Sequence, residues 1–329
     1  MASHWQTSVS IPAYSNDLQY GQSIVALGSC FAEHMGHRLA EAKFAPLVNP
    51  FGILYNPLSI VKALERMRTG YSYQAEDLIQ GKELWFSFDH HGRYAAPTPE
   101  ATLEHIRTDA QRGREKLQRA HWLFITFGTA HAWTYKSTGQ IVANCHKQPP
   151  HLFVRQRLSV AAMVESLQSE LSAWKQHNPE MQVVLTVSPV RYLRDGLIDS
   201  QRSKAALILA ADQLCSALPF VHYFPAYEIV LDELRDYRFY ARDLVHPSQV
   251  TIDYVWEKWI NTLLDPQQHH LLKAIEGVVS ASQHRPLHPA TPSHQHFLRK
   301  QLDKIAKLKD SLPFIDFSLE KRSFLKQKS

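Results

Sequence analysis

The chain has 329 residues, enough for one large domain with an appendage or for two modest domains. Hydrophobic residues make up 44% of the sequence and charged residues 20%, as in ordinary globular proteins. No apolar run approaches the ~20 residues of a membrane helix, so we expect no membrane span. The cysteines, Cys30, Cys145 and Cys215, are too few for a disulfide framework, which favours a reducing, cytoplasmic location.

The net charge of +5 arises from the last part of the chain. Residues 267–329 carry 11 Lys or Arg against 5 Asp or Glu. These basic residues do not alternate with aromatic ones, so we expect no nucleic-acid partner. The histidines of this segment lack paired ligand spacing, and we expect neither a metal nor a cofactor.

Short apolar runs alternate with helical periods through most of the chain, which predicts an α/β domain with a mostly parallel sheet. The predicted central strands are 23–28, 122–127, 183–187 and 221–224. The predicted helices are 30–42, 58–68, 98–119, 158–176, 200–218 and 250–264. Residues 47–57, rich in Pro, Gly and Asn, predict an ordered loop, and residues 84–96 and 132–143 predict small hairpins.

The C-terminal part has a different composition. Residues 280–293 contain three prolines and little apolar content, which indicates a linker. Helical spacing resumes over 296–312, with one apolar stripe formed by Leu298, Leu302, Ile305 and Leu308. We therefore predict a domain at 1–265 and, at 266–329, a linker with a basic helical extension. The stripe would dock on the domain or mediate homo-oligomer formation.

Ligand sites in doubly wound sheets form beyond the carboxyl ends of the strands. Five unusual sequences are expected at that edge or near it. They are GSCFAEH (28–34), NPFGILYNP (49–57), FGTAHAW (127–133), SPVRYLRDG (188–196) and RDLVHPS (242–248).

Ser29 follows a glycine at a strand-to-helix junction. That position can present its hydroxyl at the sheet edge, beside the backbone N–H groups that begin a helix. A serine there is also a common helix N-cap with no further role. Both interpretations stay open on this motif alone.

Asp243 and His246 are three residues apart in a predicted loop. A serine hydroxyl needs an adjacent base, and that base benefits from a carboxylate that fixes its tautomer. The spacing lets both side chains reach one point. The alternative is that Asp243 caps a turn and His246 is an ordinary surface residue.

An oxyanion formed by attack of Ser29 would need backbone or side-chain donors. The candidate N–H groups are those of Ser29, Gly52, Gly128 and Thr129. Polar side chains near the strand ends are candidates for substrate binding, although each is also of a type that often has a purely structural role. They are Asn56, His131, Asn144, His146 and Arg191.

Together these motifs resemble the GSCFA family, named for the sequence found here at residues 28–32. The resemblance covers roughly residues 20–262 and includes NCHKQP (144–149), SKAAL (203–207) and the run from 227 to 248. The family is similar to the SGNH/GDSL hydrolases. The resemblance therefore implies a flavodoxin-like, three-layer αβα sandwich.

The resemblance also implies roles for particular residues. The nucleophile of the SGNH group maps to Ser29, its late DxxH block to Asp243 and His246, and its glycine donor to Gly52. The sequence departs from the group where GxND is expected, because Gly128 is followed by Thr-Ala-His, so that Thr129 or His131 would substitute for the asparagine. The first block reads Gly-Ser-Cys, which makes Cys30 a rival nucleophile.

These residues favour a metal-independent serine esterase that removes O-acyl groups, such as acetyl, from a small-molecule or carbohydrate ester. The first alternative is an O-acyltransferase that uses the same triad with a sugar hydroxyl in place of water. The second is a non-catalytic protein with a degenerate site that binds carbohydrate or a partner.

Overall fold

The computed structural model describes residues 6–328. Its strands, in chain order, are β1 (Ile24–Gly28), β2 (Pro46–Val48), β3 (Ile79–Gln80), β4 (Trp85–Phe86), β5 (Trp122–Phe127), β6 (His131–Tyr135), β7 (Ile141–Val142), β8 (Phe153–Arg157), β9 (Gln182–Val187) and β10 (Val221–Phe224). Its α-helices are α1 (Cys30–Glu41), α2 (Pro57–Thr69), α3 (Pro99–Leu117), α4 (Val160–His177), α5 (Leu197–Ala217), α6 (Ala226–Glu228), α7 (Gln249–Leu263), α8 (His269–Gln283), α9 (Pro292–Ser311) and α10 (Ser318–Lys328). None of these helices is long and apolar enough to cross a membrane.

The central sheet has five parallel strands in the order β10–β9–β5–β1–β2. The chain adds β2 on one side of β1 and the later strands on the other, so the winding direction reverses between β1 and β5. This reversal opens a crevice at the carboxyl ends of those two strands, where ligands bind in sheets of this topology. Gly28 and Phe127 end the strands that border it.

Helices cover both faces of the sheet, as the αβα prediction requires. Alternate residues of each central strand enter opposite cores, because side chains alternate across a strand. On β1, Val25 and Leu27 join the core beneath α2–α5, whereas Ile24 and Ala26 join the core beneath α1, α7 and the C-terminal helices. The predicted three-layer, mostly parallel fold is confirmed.

Two details of the sequence-based prediction are wrong. Residues 46–48, at the start of the expected loop, form the short edge strand β2. With three residues and a proline at its start, this strand is too short to show a strand pattern in the sequence. The hairpin predicted within 84–96 is reduced to one antiparallel bridge between Trp85 and Ala96. The strand partner of β4 is β3, upstream of it, because Gly81 closes a tight turn with Leu84. The predicted hairpin at 132–143 exists as β6 and β7, and β8 joins it as a third strand.

The C-terminal helices pack on the same chain and extend its second core. Leu298, Ile305, Phe317 and Phe324 are buried in that core. The apolar stripe predicted for 296–312 therefore docks on the domain, and homo-oligomer formation through it stays a prediction. The expected linker is shorter than predicted because α8 continues to Gln283. The division into 1–265 and 266–329 also stays a prediction.

Gly28 fixes the end of β1. Its φ is +135°, and a Cβ at this position would lie 2.1 Å from the Thr126 carbonyl oxygen of β5. The loop that follows β2 holds Gly28 by both polar groups: its N–H donates to Asn49 Oδ1 at 2.9 Å, and its carbonyl accepts the Leu54 N–H at 2.9 Å. Only glycine fits a backbone so closely surrounded.

We expect Gly28→Ala to lower the free energy of unfolding by about 3 kcal/mol or more, because the added methyl meets backbone at an unfavourable φ. Gly277→Ala is the matched control, since that helical glycine has open space around it. The control should gain up to about 1 kcal/mol. Urea denaturation measures both, and a Gly28→Ala protein as stable as wild type would refute this view of the strand end.

Candidate active site

Ser29 begins α1 as its N-cap. Its Oγ accepts the Phe31 N–H at 3.3 Å, and its own N–H donates to the Thr126 carbonyl at 3.1 Å. The residue is only 1% exposed. The Tyr55 ring and the Ser29 Cβ both border the same face of Gly128. Ser29 therefore lies at the switch point of the sheet, with Tyr55 beside it.

Cys30, the rival nucleophile, is the first residue of α1 and is half-buried. Burial raises the pKa of its thiol, although the backbone N–H groups of Cys30 and Phe31 act in the opposite direction. A raised pKa keeps the sulfur as the protonated thiol, which is the weaker nucleophile. Cys30 is thus more accessible than Ser29 but is not activated by its surroundings.

Asp243 and His246 form a hydrogen-bonded pair. Asp243 Oδ2 lies 2.6 Å from His246 Nδ1, and Oδ1 accepts the backbone N–H groups of Val245 and His246 at 2.9 and 3.0 Å. The hydrogen bond from His246, followed by the two backbone bonds, lowers the pKa of Asp243 to about 2. The carboxylate therefore favours the tautomer with the proton on Nδ1, which leaves Nε2 as a proton acceptor.

The charge of the pair acts on the first turns of α1. Burial lowers the pKa of His34, and the charge of His246 is the second cause. His34 is one turn beyond Cys30, so His246 approaches the same helix that Ser29 caps. Among the described hydrogen bonds, none joins His246 Nε2 to Ser29 Oγ.

Arg191 holds the loop that carries the pair. Its N–H donates to the Val245 carbonyl and its Nη1 to the Leu244 carbonyl, both at 3.0 Å. The guanidinium lies 5.4 and 5.5 Å from the ring centres of Tyr237 and Tyr240. Leu244 has a φ of +56°, which non-glycine residues rarely adopt. Arg191 therefore supports the loop that carries Asp243 and His246.

The four backbone N–H groups proposed as oxyanion donors all have backbone partners. Ser29 donates to Thr126 and Gly52 to Asn49, as strand-end and turn bonds. The N–H groups of Gly128 and Thr129 instead converge on one atom, the Tyr55 carbonyl oxygen, at 2.8 and 3.0 Å. We call this pair of N–H groups, which share one acceptor oxygen, the Gly128–Thr129 nest.

A cleft of about 520 Å³ opens beside Tyr55 and Thr129. Of the residues proposed for substrate binding, Asn56, His131 and Asn144 line it. Its other lining residues are His91, Trp133, Ala143, Cys145, Lys147, Gln148, Pro150, Phe153, Arg155, Tyr192 and Arg194. The cleft therefore combines aromatic surface with amide, imidazole and cationic groups.

His146 lines a different and larger cleft, of about 1060 Å³, alongside β3 and β4. Its Nε2 lies 2.9 and 3.1 Å from the Ser87 and His90 carbonyl oxygens, and its ring stacks on Phe86. Asn144 borders both clefts and accepts the His146 N–H through Oδ1. The structure thus separates His146 and Arg191 from the three residues that share the smaller cleft.

The sequence-based prediction missed Lys204. This side chain is 2% exposed and donates to the Gly128 and Ser188 carbonyls at 2.7 and 2.6 Å. Burial lowers its pKa to about 7. The sequence pattern could have indicated its burial, because Lys204 lies on the helix face that continues with the buried residues Leu207 and Ala211.

Within residues 6–328, no three His, Cys, Asp or Glu side chains are grouped to hold a metal ion.

We expect Arg191→Met to free the 240–248 loop, because it removes a charge-assisted bond to the strained Leu244. Hydrogen exchange of the amides in that loop should become faster, while exchange in β5 stays unchanged. Arg194→Met is the matched control, since Arg194 lies 5.9 Å from the Trp133 ring centre. Equal exchange in wild type and Arg191→Met would contradict this role.

Comparison with known proteins gives a family for most of the chain. A model of the GSCFA family matches residues 23–259, and one of the GSCFA domain protein C-terminal domain matches residues 275–328. No curated protein matches. A solved acetyl xylan esterase from the rumen bacterium Butyrivibrio proteoclasticus is similar with a TM-score of 0.32 and 8% identity, over 80% of this chain and 66% of that one. The chain spans about two thirds of that esterase. The chain belongs to the GSCFA family.

Proposed function

We propose that the protein is a serine-nucleophile enzyme of ester chemistry that removes an O-acyl group, such as acetyl, from a carbohydrate or small-molecule ester. The main support is the Asp243–His246 pair, in which Asp243 bonds Nδ1 and no described residue bonds His246 Nε2. The charge of His246 also acts on His34 of α1, the helix that Ser29 caps. Such a pair is the part of a triad that activates a hydroxyl.

In the proposed reaction, His246 Nε2 takes the Ser29 proton while Oγ attacks the acyl carbon. The tetrahedral intermediate collapses, and the leaving alkoxide takes the proton from His246. Water then attacks the acyl-enzyme with the same base, and the acid leaves as Ser29 Oγ is protonated again. Asp243 stabilises the imidazolium in both halves. Because Ser29 is almost fully buried, substrate entry requires the side chains around it to move.

The oxyanion has two candidate sources of donors. The N-terminus of α1 brings backbone N–H groups to Ser29, as helix starts do for anions. The Gly128–Thr129 nest already binds one oxygen, that of Tyr55, so displacement of the Tyr55 carbonyl would free both donors for the oxyanion. Gly52 supports the same loop through its turn bond to Asn49.

The alcohol portion of the substrate fits the 520 Å³ cleft. Its volume lies within the range of about 300–1,000 Å³ typical of small-molecule sites. His131 and Asn144 offer hydrogen-bonding groups, and Trp133 offers an aromatic surface. Asn56 borders the cleft, but both of its amide atoms are bonded to Ser59 as the N-cap of α2. This mixture suits a sugar, which has hydroxyls around an apolar face. We therefore propose a carbohydrate ester in preference to a lipid.

Transfer of the acyl group to a sugar hydroxyl would use the same residues and differs only in the acceptor. The open cleft beside Tyr55 and Thr129 can hold an acceptor, and this observation keeps the transferase as a second candidate. Product analysis with and without added sugar separates the two. A binding protein without catalysis is the remaining alternative, favoured by the absence of the GxND asparagine.

We expect a fluorophosphonate to add once to the wild-type protein, because it reacts with activated serines. Intact-mass measurement should show that the adduct is lost in Ser29→Ala and retained in Cys30→Ala. Ser159→Ala is the matched control: Ser159 caps α4 through the same kind of N–H bond, and its loss should leave labelling intact.

An adduct that survives Ser29→Ala would mean that another residue is the nucleophile. Loss of the adduct in Cys30→Ala alone would assign that role to Cys30. Absence of any adduct on folded wild-type protein would contradict the enzyme and favour the binding protein.

A further inference from the structure

Lys204 is a buried cation whose described partners are neutral. Its Nζ donates to the carbonyl oxygens of Gly128 and Ser188, and the centre of the Tyr227 ring lies 5.6 Å away. No salt bridge to Lys204 appears among the described residues. Burial of an ammonium without a carboxylate is costly, so a lysine that remains there usually has a specific role.

The two carbonyls belong to the ends of neighbouring strands. Gly128 follows β5 and Ser188 follows β9, so the Lys204 ammonium joins these strands across the carboxyl edge of the sheet. Both bonds survive a change of protonation, because a neutral amine still has two N–H donors. The lowered pKa of about 7, caused by burial, is therefore compatible with the contacts. The other titratable groups nearby are Cys30 and Tyr227.

The bond to Gly128 sets the direction of a peptide group. In a trans peptide the C=O and the following N–H point in opposite directions. With its carbonyl turned to Lys204, the Gly128–Thr129 peptide directs the Thr129 N–H to the Tyr55 carbonyl, where the Gly128 N–H also donates. The lysine thereby fixes the nest and increases the polarisation of one of its two donors.

Ser203, the residue before Lys204 in α5, binds the segment that follows Gly128. Ser203 Oγ accepts the Ala130 N–H at 2.7 Å and lies 3.0 Å from Thr129 Oγ1. Lys204 and Ser203, consecutive in α5, therefore bind three groups of residues 128–130. These groups are the Gly128 carbonyl, the Thr129 hydroxyl and the Ala130 N–H. Those residues in turn hold Tyr55, which borders Ser29 and precedes the cap of α2.

We propose that Lys204 is a positioning residue of the candidate active site, which orients the Gly128–Thr129 nest and through it the Tyr55 segment beside Ser29. Its consequence for turnover rests on the proposed function, whereas its effect on the nest does not. The two consequences are measured separately.

The first measurement is hydrogen exchange, by NMR, of the Gly128 and Thr129 amides in Lys204→Met. This substitution keeps the length and removes the donors. We expect at least 10-fold faster exchange at both amides, with exchange in β1 unchanged. Lys175→Met is the matched control, because Lys175 also donates to a carbonyl, that of Met181, and lies over Phe220, at the opposite end of β9. It should leave the nest amides unchanged.

Unchanged exchange at Gly128 and Thr129 in folded Lys204→Met would overturn the proposal. If Lys204→Met does not fold, Lys204→Ala is measured with n-propylammonium chloride and with sodium chloride at equal ionic strength. Slower exchange with the amine alone supports the proposal, and equal exchange in the two salts overturns it.

The second measurement is hydrolysis of 4-nitrophenyl acetate. A displaced nest should lower kcat about 10-fold or more in Lys204→Met while KM changes less, because the substrate cleft is intact. A change in KM alone would overturn the catalytic consequence. If wild-type protein hydrolyses no ester, the proposed function fails, and the exchange result still decides whether Lys204 orients the nest.

Discussion

The close approach of β1 to β5 at Gly28 is the constraint on which the candidate site depends. The Thr126 carbonyl occupies the space of a Cβ at Gly28, and the loop after β2 bonds both polar groups of the glycine. This contact ends the strand, starts α1 at Ser29 and holds the 49–57 loop over the switch point. Ser29, Tyr55 and Gly128 come together because their backbones meet there.

Around this contact, buried polar groups bind backbone and Ser29 is buried among them, while Asp243 and His246 lie at the surface. Lys204 and Ser203 satisfy backbone groups of residues 128–130. Asp243 and His246, by contrast, lie on an exposed loop held by Arg191. The division is physically reasonable, since buried polar groups require fixed partners and a base that transfers protons requires access.

Much of the fold could be predicted because its signals are local. The apolar runs at 122–127 and 183–187 are long enough to identify central strands, and the Asp243–His246 spacing allows the bond that the structure contains. Lys204 could not be paired from sequence, because its carbonyl partners lie 76 and 16 residues away. The partner of β4 depended on a glycine turn, and the burial of Ser29 depended on the loop that folds over it.

In the proposed reaction, His246 activates a nucleophile at the start of α1. The most direct test is rapid mixing of wild type and His246→Gln with 4-nitrophenyl acetate, with release of 4-nitrophenolate followed in time. We expect fast release in wild type and a rate about 10²–10⁴-fold lower in the variant, the usual contribution of a general base. Equal rates in the two proteins would contradict it.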